Sequence, residues 1–179
     1  IDDLKSYDNF KKSIKLTEAK NEIEFPMELI LRFFISKHNK IDFSNYNQSS
    51  SLLSDFLDKE TTKLVNDGSF KIDNEILIFK KVFDLLFEIL GDNSFKKFNA
   101  IKGDFEGPFL QSSFEAICTG LANNIEYYEI DGKLKLKSKI ETLYQQEGYL
   151  EHSARGKKAL TRIQGMIEFS NSFFGNHEL

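Results

Sequence analysis

The sequence of 179 residues contains one cysteine, two prolines and no tryptophan, and each scarcity excludes a class of protein. The single cysteine, Cys118, cannot build a disulfide scaffold or a multi-cysteine zinc or iron–sulfur site. So few prolines, together with only ten glycines, exclude a collagen-like or proline-rich chain. No apolar run reaches the ~18–20 residues that a membrane-spanning helix needs. We therefore expect a cytoplasmic globular protein with no membrane partner.

Arginine is also scarce, since only Arg32, Arg155 and Arg162 occur among the 24 basic residues. The net charge of −4 argues against a protein that coats DNA, which would carry a broad basic surface. What the chain does contain is 40% hydrophobic residues, including 18 phenylalanines. That content is enough for a sizeable core at this length. We expect a single helical domain over residues 1–179.

Apolar residues recur with the spacing of a helix along most of the chain, which predicts an all-α protein folded as an irregular multi-helix bundle. The strongest segment begins at Phe25 and carries Pro26 in its first turn, where the missing N–H is tolerated. It is apolar around nearly its whole circumference, so we expect other helices to surround it. Glu28 and Arg32 lie four residues apart on its narrow polar strip, which predicts a structural ion pair.

Two segments interrupt the helical pattern. Residues 92–111 contain Gly103, Gly107 and Pro108 and are typical of an irregular surface stretch. Residues 127–137 alternate in polarity around Asp131-Gly132, which is the pattern of one short β-hairpin. A loop between two helices is the alternative for the same residues.

The usual catalytic motifs are missing from the sequence. The glycines at 103 and 107 lack the Lys-Ser/Thr of a phosphate-binding loop. The histidines His38, His152 and His177 are far apart and form no helical pair that would hold a metal. Cys118 lies on an apolar stripe and is expected to be a buried structural thiol. We therefore predict no catalytic residue, no cofactor and no metal site in this chain.

Basic residues are concentrated in one part of the chain. Between residues 133 and 162 there are eight basic and three acidic residues, which gives this segment a net charge of +5. Such a segment can contact nucleic-acid phosphates through release of counterions, and with so little arginine we expect backbone contact rather than base readout. The residues predicted to contact nucleic acid are Lys135, Lys137, Lys139, Arg155, Lys157, Lys158 and Arg162. The alternative is a lysine-rich, solvated edge beside another domain.

The helix Glu28-Leu29-Ile30-Leu31-Arg32-Phe33-Phe34 resembles a helix that follows the N-terminal domain in the GmrSD-type restriction family of prokaryotes, often known only as a domain of unknown function. Further short segments agree with that family in order along the chain. They are Leu53-Ser54-Asp55-Phe56-Leu57, the stretch 87–95, Phe114-Glu115-Ala116-Ile117, and Tyr149-Leu150 with Arg155 and Arg162-Ile163.

The family's nucleotide-handling part precedes this region and carries an Asp-Gly-Gln-Arg-type motif, which is absent here, as are the His-Asn-His-type nuclease residues of some members. The resemblance therefore implies a non-catalytic helical portion of a larger restriction or phage-defence protein. Its partners would be a missing N-terminal domain of the same protein and DNA, and the parent protein would be a nuclease or a nucleotide hydrolase.

Two other functions are open at this stage. The first is a protein-interaction or oligomerisation module with no nucleic-acid role, for which we expect an exposed apolar patch from the phenylalanine-rich stretch 95–114. The second is a small hydrolase whose site would combine scattered carboxylates with His38 or His152.

Overall fold

The computed structural model describes residues 1–18, 24–38, 40–46, 51–130 and 132–175. Within these residues the fold is an irregular bundle of α-helices with one small antiparallel hairpin, which confirms the predicted all-α class. The helices are α1 (Asp8–Ile14), α2 (Phe25–His38), α3 (Leu53–Asn66), α4 (Ile72–Leu90), α5 (Gln111–Asn123), α6 (Ile125–Ile130), α7 (Lys133–Leu143), α8 (Glu147–Ser153) and α9 (Ala159–Gly175). Short 3₁₀ turns lie at Asp2–Ser6, Phe43–Asn45 and Gly91–Asn93.

Helix α2 crosses the interior, as its apolar circumference predicts. It packs against α3 on one side and α5 on another, and Leu29, Ile30 and Phe33 are almost fully buried. Glu28 lies in its first turn and Lys37 in its last, where the charges of both side chains interact favourably with the helix dipole. The helix therefore holds a central position with both of its ends charged.

The main core is rich in aromatic rings from several helices and from the segment that follows α4. Phe83 of α4 lies at its centre, with its ring centroid 4.5 Å from that of Phe79 and 4.9 Å from that of Phe10. Phe33, Phe95 and Phe114 surround the same ring at 6.1–6.3 Å. Such offset and edge-to-face pairs add to the stability gained from burial alone. The phenylalanines in this cluster are fold-forming residues.

Helices α5 and α9 run side by side in the same direction, since Glu115 contacts Arg162 and Asn123 contacts Asn171 further along both helices. A second, smaller cluster fills the space between α2, α3 and α9. Its buried members are Ile35, Tyr46, Phe56, Leu57, Leu160, Ile163 and Ile167. Helix α9 therefore contacts both clusters and joins the two parts of the bundle.

The hairpin is present, but its predicted location at 127–137 was wrong. The strands are β1 (Lys97–Asn99) and β2 (Asp104–Glu106), which pair antiparallel with Phe98 opposite Phe105. Of the described residues in this stretch, 127–130 end α6 and 133–137 begin α7, which fits the alternative of a connection between two helices. Gly132 lies in that connection because space is short: an added Cβ would be 2.7 Å from Tyr128 Cδ1 and 2.9 Å from Tyr127 Cε1. The glycine there is a close-packing requirement of a helix–helix turn.

The stretch 95–114 does not form the exposed apolar patch that its composition predicted. Phe95 and Phe114 are 1% exposed, and Phe98, Phe105 and Phe109 are half-buried and pack against the main core. Ile101, at the tip of the hairpin, is the exposed exception at 97%. The hairpin covers the core with its phenylalanines, and Ile101 at its tip is its one exposed large apolar side chain among the described residues.

Candidate functional site

A buried ion cluster joins α2, α5 and α9. Arg32 Nη1 donates a hydrogen bond to Glu115 Oε1 at 2.6 Å, and Arg162 donates to the same carboxylate through Nε at 2.7 Å and Nη2 at 3.0 Å. The side chains of Arg32 and Glu115 are only 3% and 2% exposed. Arg32 Nη2 also donates to Glu28 Oε1 at 2.6 Å. The predicted Glu28–Arg32 pair is therefore confirmed as one part of a larger cluster.

The two arginines lie in different environments within this cluster. Burial lowers the pKa of Arg32 in spite of the carboxylates of Glu115 and Glu28. Arg162 is more exposed; burial opposes its charge too, but the hydrogen bond and charge of Glu115 outweigh it and raise the pKa of Arg162. Both guanidinium groups stay charged, as arginines in proteins do. Within the described residues, Arg32 Nε has no hydrogen-bond partner. A buried N–H group without a partner costs free energy, so Arg32 is more costly to bury than Arg162.

Glu115 was missed as a site residue because its neighbours along the chain are apolar. It is the only acidic residue between Glu106 and Glu126. Arg32 is likewise the only charged residue between Glu28 and Lys37, and Arg162 is the only one between Lys158 and Glu168. Lone charges on buried helices must find opposite charges, and this signal was available from the sequence. What it did not identify is which arginine meets which carboxylate.

The basic segment between residues 133 and 162 does not form one surface. Lys139 is 3% exposed, and its Nζ donates to the carbonyl oxygen of Phe173 at 2.6 Å, near the end of α9. Burial, with a contribution from Lys135, lowers the pKa of Lys139. Arg162 is held by Glu115 in the ion cluster. The prediction that Lys139 and Arg162 lie on an exposed nucleic-acid surface was therefore wrong.

Lys139 is buried because it lies on the inner face of α7, at helical spacing with Leu136, Ile140 and Leu143, which are fully buried. Its aliphatic stem packs there, and its ammonium group lies 5.0 Å from the centroid of the Phe173 ring. A cation is favourable beside the last carbonyl groups of a helix. Lys139 is thus a structural residue that stabilises the C-terminal turn of α9.

The other five cations of the predicted surface fall into two groups. Lys135 and Lys137 are exposed on α7, and Lys137 Nζ lies 3.9 Å from Glu141. Arg155 and Lys158 are exposed and Lys157 is half-buried in the loop that precedes α9, with Lys157 Nζ 3.9 Å from Glu151. The contact between Lys139 and Phe173 places α7 near the C-terminal end of α9. The loop that holds the second group precedes Ala159 at the N-terminal end of the same helix. Ala159 and Phe173 are about 21 Å apart along the axis of α9. The two groups therefore lie near opposite ends of α9.

The loop from Arg155 to Lys158, which we call the basic loop, has a defined backbone. Gly156 has a φ of +88°, which favours glycine, and Lys157 N donates to the carbonyl oxygen of Ala154 at 3.2 Å. The turn places three cations within four residues at the start of a 17-residue helix. A helix N-terminus prefers negative charge, so these cations are not there to stabilise the helix.

Of the histidines considered for a hydrolase, the described His38 contacts the nearly buried carboxylate of Glu75 rather than an open cleft. An open cleft of about 550 Å³ is lined by Asn45, Tyr46, Asp58, Lys59, Thr62 and Lys63, and neither His38 nor His152 lines it. Tyr46 donates to the buried carboxylate of Glu60 at 2.5 Å, and burial together with Glu60 raises the pKa of Tyr46. His177 lies outside the described residues.

The remaining expectations about chemistry concern metals, the thiol and membranes. In the part of the chain that the structure describes, no three His, Cys, Asp or Glu side chains come together in a way that would hold a metal ion. Cys118 is 1% exposed, and burial raises the pKa of its thiol, as expected for a structural cysteine. None of the described helices has the length and apolar character required to cross a bilayer.

Comparisons with known proteins do not add to this picture. No protein-family model matches the sequence, and no curated protein and no solved structure is significantly similar to the chain. The resemblance of the Glu28–Phe34 helix to the restriction family therefore stays a prediction.

Proposed function

We propose that this chain is a non-catalytic helical module of a prokaryotic restriction or phage-defence protein, acting in the cytoplasm, and that it contacts the DNA backbone through its basic loop. The observation that carries the proposal is the placement of Arg155, Lys157 and Lys158 together at the start of α9. Cations at that position do not favour the helix, and phosphate groups are the natural counter-charges for them. Several residues of the family-like segments, among them Phe33, Phe56 and Phe114, are buried in the core.

The ion cluster supports this assignment. Arg162 lies one turn into α9, directly after the basic loop, and is bound to Glu115 of α5, which in turn holds Arg32 of α2. The start of α9 is thereby fixed to the centre of the bundle. Helix positions fixed by packing and charge hold a binding surface in place better than a free loop does. The buried charges provide structure, and the exposed charges are available for a partner.

Duplex DNA binding tests the proposal directly. The wild-type protein is expected to bind an unmodified duplex at low salt with an affinity that falls steeply as salt is added, because phosphate contacts release counterions. Combining Arg155→Ala, Lys157→Ala and Lys158→Ala should weaken binding at low salt by roughly tenfold or more. It should also reduce the salt slope by about one for each phosphate that is no longer neutralised. Fluorescence anisotropy over a salt series measures both quantities.

A triple variant elsewhere on the surface serves as the matched control. Lys11, Lys59 and Lys80 are exposed on α1, α3 and α4, so replacing all three with alanine causes the same change in net charge. This control variant should keep most of the wild-type affinity. Equal losses in the two triple variants, or no duplex binding by the wild type at low salt, would contradict DNA contact through the basic loop.

One observation favours the second candidate, an oligomerisation module. Ile130 is 78% exposed and Leu134 is 87% exposed, and they lie on either side of the turn between α6 and α7. Single exposed aliphatic side chains are common, but two that lie four residues apart in the sequence offer a second copy more apolar surface than either one alone. Such a contact would give the exposed pair a role that DNA binding does not.

Light scattering distinguishes this candidate from the first. If Ile130 and Leu134 join two copies, the wild type is a dimer at micromolar concentration, and Ile130→Ser combined with Leu134→Ser gives a monomer. Ile101→Ser at the hairpin tip, where the isoleucine is 97% exposed, should leave the dimer intact. A wild type that stays monomeric over the whole concentration range rules this candidate out.

A further inference from the structure

A cluster of titratable side chains joins the end of α2 to the start of α4. Lys37 Nζ donates to Glu75 Oε1 at 3.0 Å and lies 2.8 Å from Oε2, while His38 Nε2 is 3.3 Å from Oε1. The side chains of Lys37 and His38 are 13% exposed and that of Glu75 is 8% exposed. Two consecutive residues of one helix therefore share a single, nearly buried carboxylate of another.

His38 occupies an environment that suits its neutral form. Its Nε2 atom is shielded from solvent and, although it lies 3.3 Å from Glu75 Oε1, makes no well-aligned hydrogen bond within the described residues. The other side of the imidazole packs against Phe70, with ring centroids 5.1 Å apart. Glu75 already has Lys37 as its counter-ion. A proton on His38 would thus add a second cation to a carboxylate whose charge is already balanced.

The charged groups around His38 act in both directions. Glu75 on α4 and the terminal carbonyl groups of α2 favour the protonated imidazole. Lys37 on the same helix and Lys40 just after it oppose protonation, and Lys40 is itself held by Asp67, from the α3–α4 turn, at 2.8 Å. Burial is the largest influence, and the net result is a lowered pKa for His38.

We propose that Lys37, His38 and Glu75 form a proton-sensitive junction between α2 and α4, which is firm while His38 is neutral and loosens when the imidazole takes up a proton. The opened junction lets the imidazole reach water and so binds the proton more readily than the closed one. The junction is fully stable above pH ~6.5, the ordinary value for histidine. It weakens as the pH falls below that value, by at most about tenfold in its opening equilibrium per pH unit, because one proton is involved.

Hydrogen exchange of the full chain, compared at pH 7.5 and pH 5.5, tests the junction. Backbone amides in the last turn of α2 and the first turn of α4 are followed in the wild type and in His38→Gln, and the two proteins are compared at the same pH so that intrinsic exchange rates cancel. The ratio of wild-type to variant exchange should rise by up to about tenfold at pH 5.5. His152→Gln, the matched control, should reproduce the wild-type behaviour at both pH values.

NMR titration of the imidazole Cε1–Hε1 signal of His38 gives a second measurement that needs no variant. A midpoint below ~6.5 supports the junction, since it shows that the fold opposes protonation. A midpoint at or above that value would overturn the proposal. So would an unchanged exchange ratio between the two pH values. If His38→Gln does not fold, the wild-type titration decides alone.

Discussion

Glu115→Ala is expected to lower the free energy of unfolding by about 3–5 kcal/mol, because it leaves the buried Arg32 and the half-buried Arg162 without their shared counter-ion. Glu115 accepts hydrogen bonds from Arg32 at 2.6 Å and from Arg162 at 2.7 and 3.0 Å. Alanine can accept none of these, and Arg32 at 3% exposure cannot turn its guanidinium group to water without opening the bundle. Urea denaturation followed by circular dichroism measures the loss.

Glu28→Ala is the matched control, because it removes the other carboxylate of the same Arg32. Glu28 is 34% exposed, and its loss leaves Arg32 still bound to Glu115. We expect a destabilisation of about 1 kcal/mol or less, as for other partly exposed ion pairs. If the two variants lose the same stability, Arg32 and Arg162 do not depend on Glu115, and the cluster is not what joins α2, α5 and α9.

The cluster also shows why a charge count along the chain did not predict a surface. Arg162 belongs to the basic segment by its position in the sequence, but it is bonded to a residue 47 positions away. Lys139 likewise lies between exposed lysines in the sequence, although its ammonium group reaches a carbonyl 34 positions away. Net charge is additive along a segment, whereas exposure depends on which face of each helix is covered. Arg155, Lys157 and Lys158 of the basic loop are the predicted cations that are close in the sequence and also lie together in the structure.

Much of the fold could be predicted, because helices leave a local signal. The apolar spacing around Phe33 marked α2 as a buried helix, and its apolar side chains are in the core. The hairpin could not be located in the same way. Each strand has only three residues, which is too short to show alternation of polar and apolar side chains. The stronger turn signal, at Gly132, lies in the connection between α6 and α7. Glycine has more than one structural use, and the sequence does not distinguish them.

The candidate site was predictable only in part, for a related reason. The Glu28–Arg32 pair is a contact within one helix and follows from spacing alone. The contact between Arg32 and Glu115 spans 83 positions, and that between His38 and Glu75 spans 37. Such contacts depend on how the helices are arranged in space, which periodicity does not specify. The isolated charges indicated that partners must exist, and the fold determined which ones they are.

Gly120→Ala is the second large effect that we expect, with a loss of about 2–3 kcal/mol in the free energy of unfolding. Alanine normally stabilises a helix interior relative to glycine by about 1 kcal/mol. At this position, however, the added Cβ would lie 2.6 Å from Cγ and 2.8 Å from Cβ of Phe174 on α9. Phe174 is fully buried, and a clash with atoms so near its backbone is not relieved by turning the ring. Overpacking of this kind typically costs about 1–3 kcal/mol or more.

Gly68→Ala provides the control, since nothing lies within 4 Å of a Cβ added there and the expected change is within about 0.5 kcal/mol. The cause of the loss can be tested further by combining Gly120→Ala with Phe174→Leu. If the clash with the ring is responsible, the double variant is more stable than the sum of the two single losses predicts, because leucine leaves room for the new methyl group. Additive losses, or a Gly120→Ala variant as stable as the wild type, would show that α5 and α9 do not depend on this close approach.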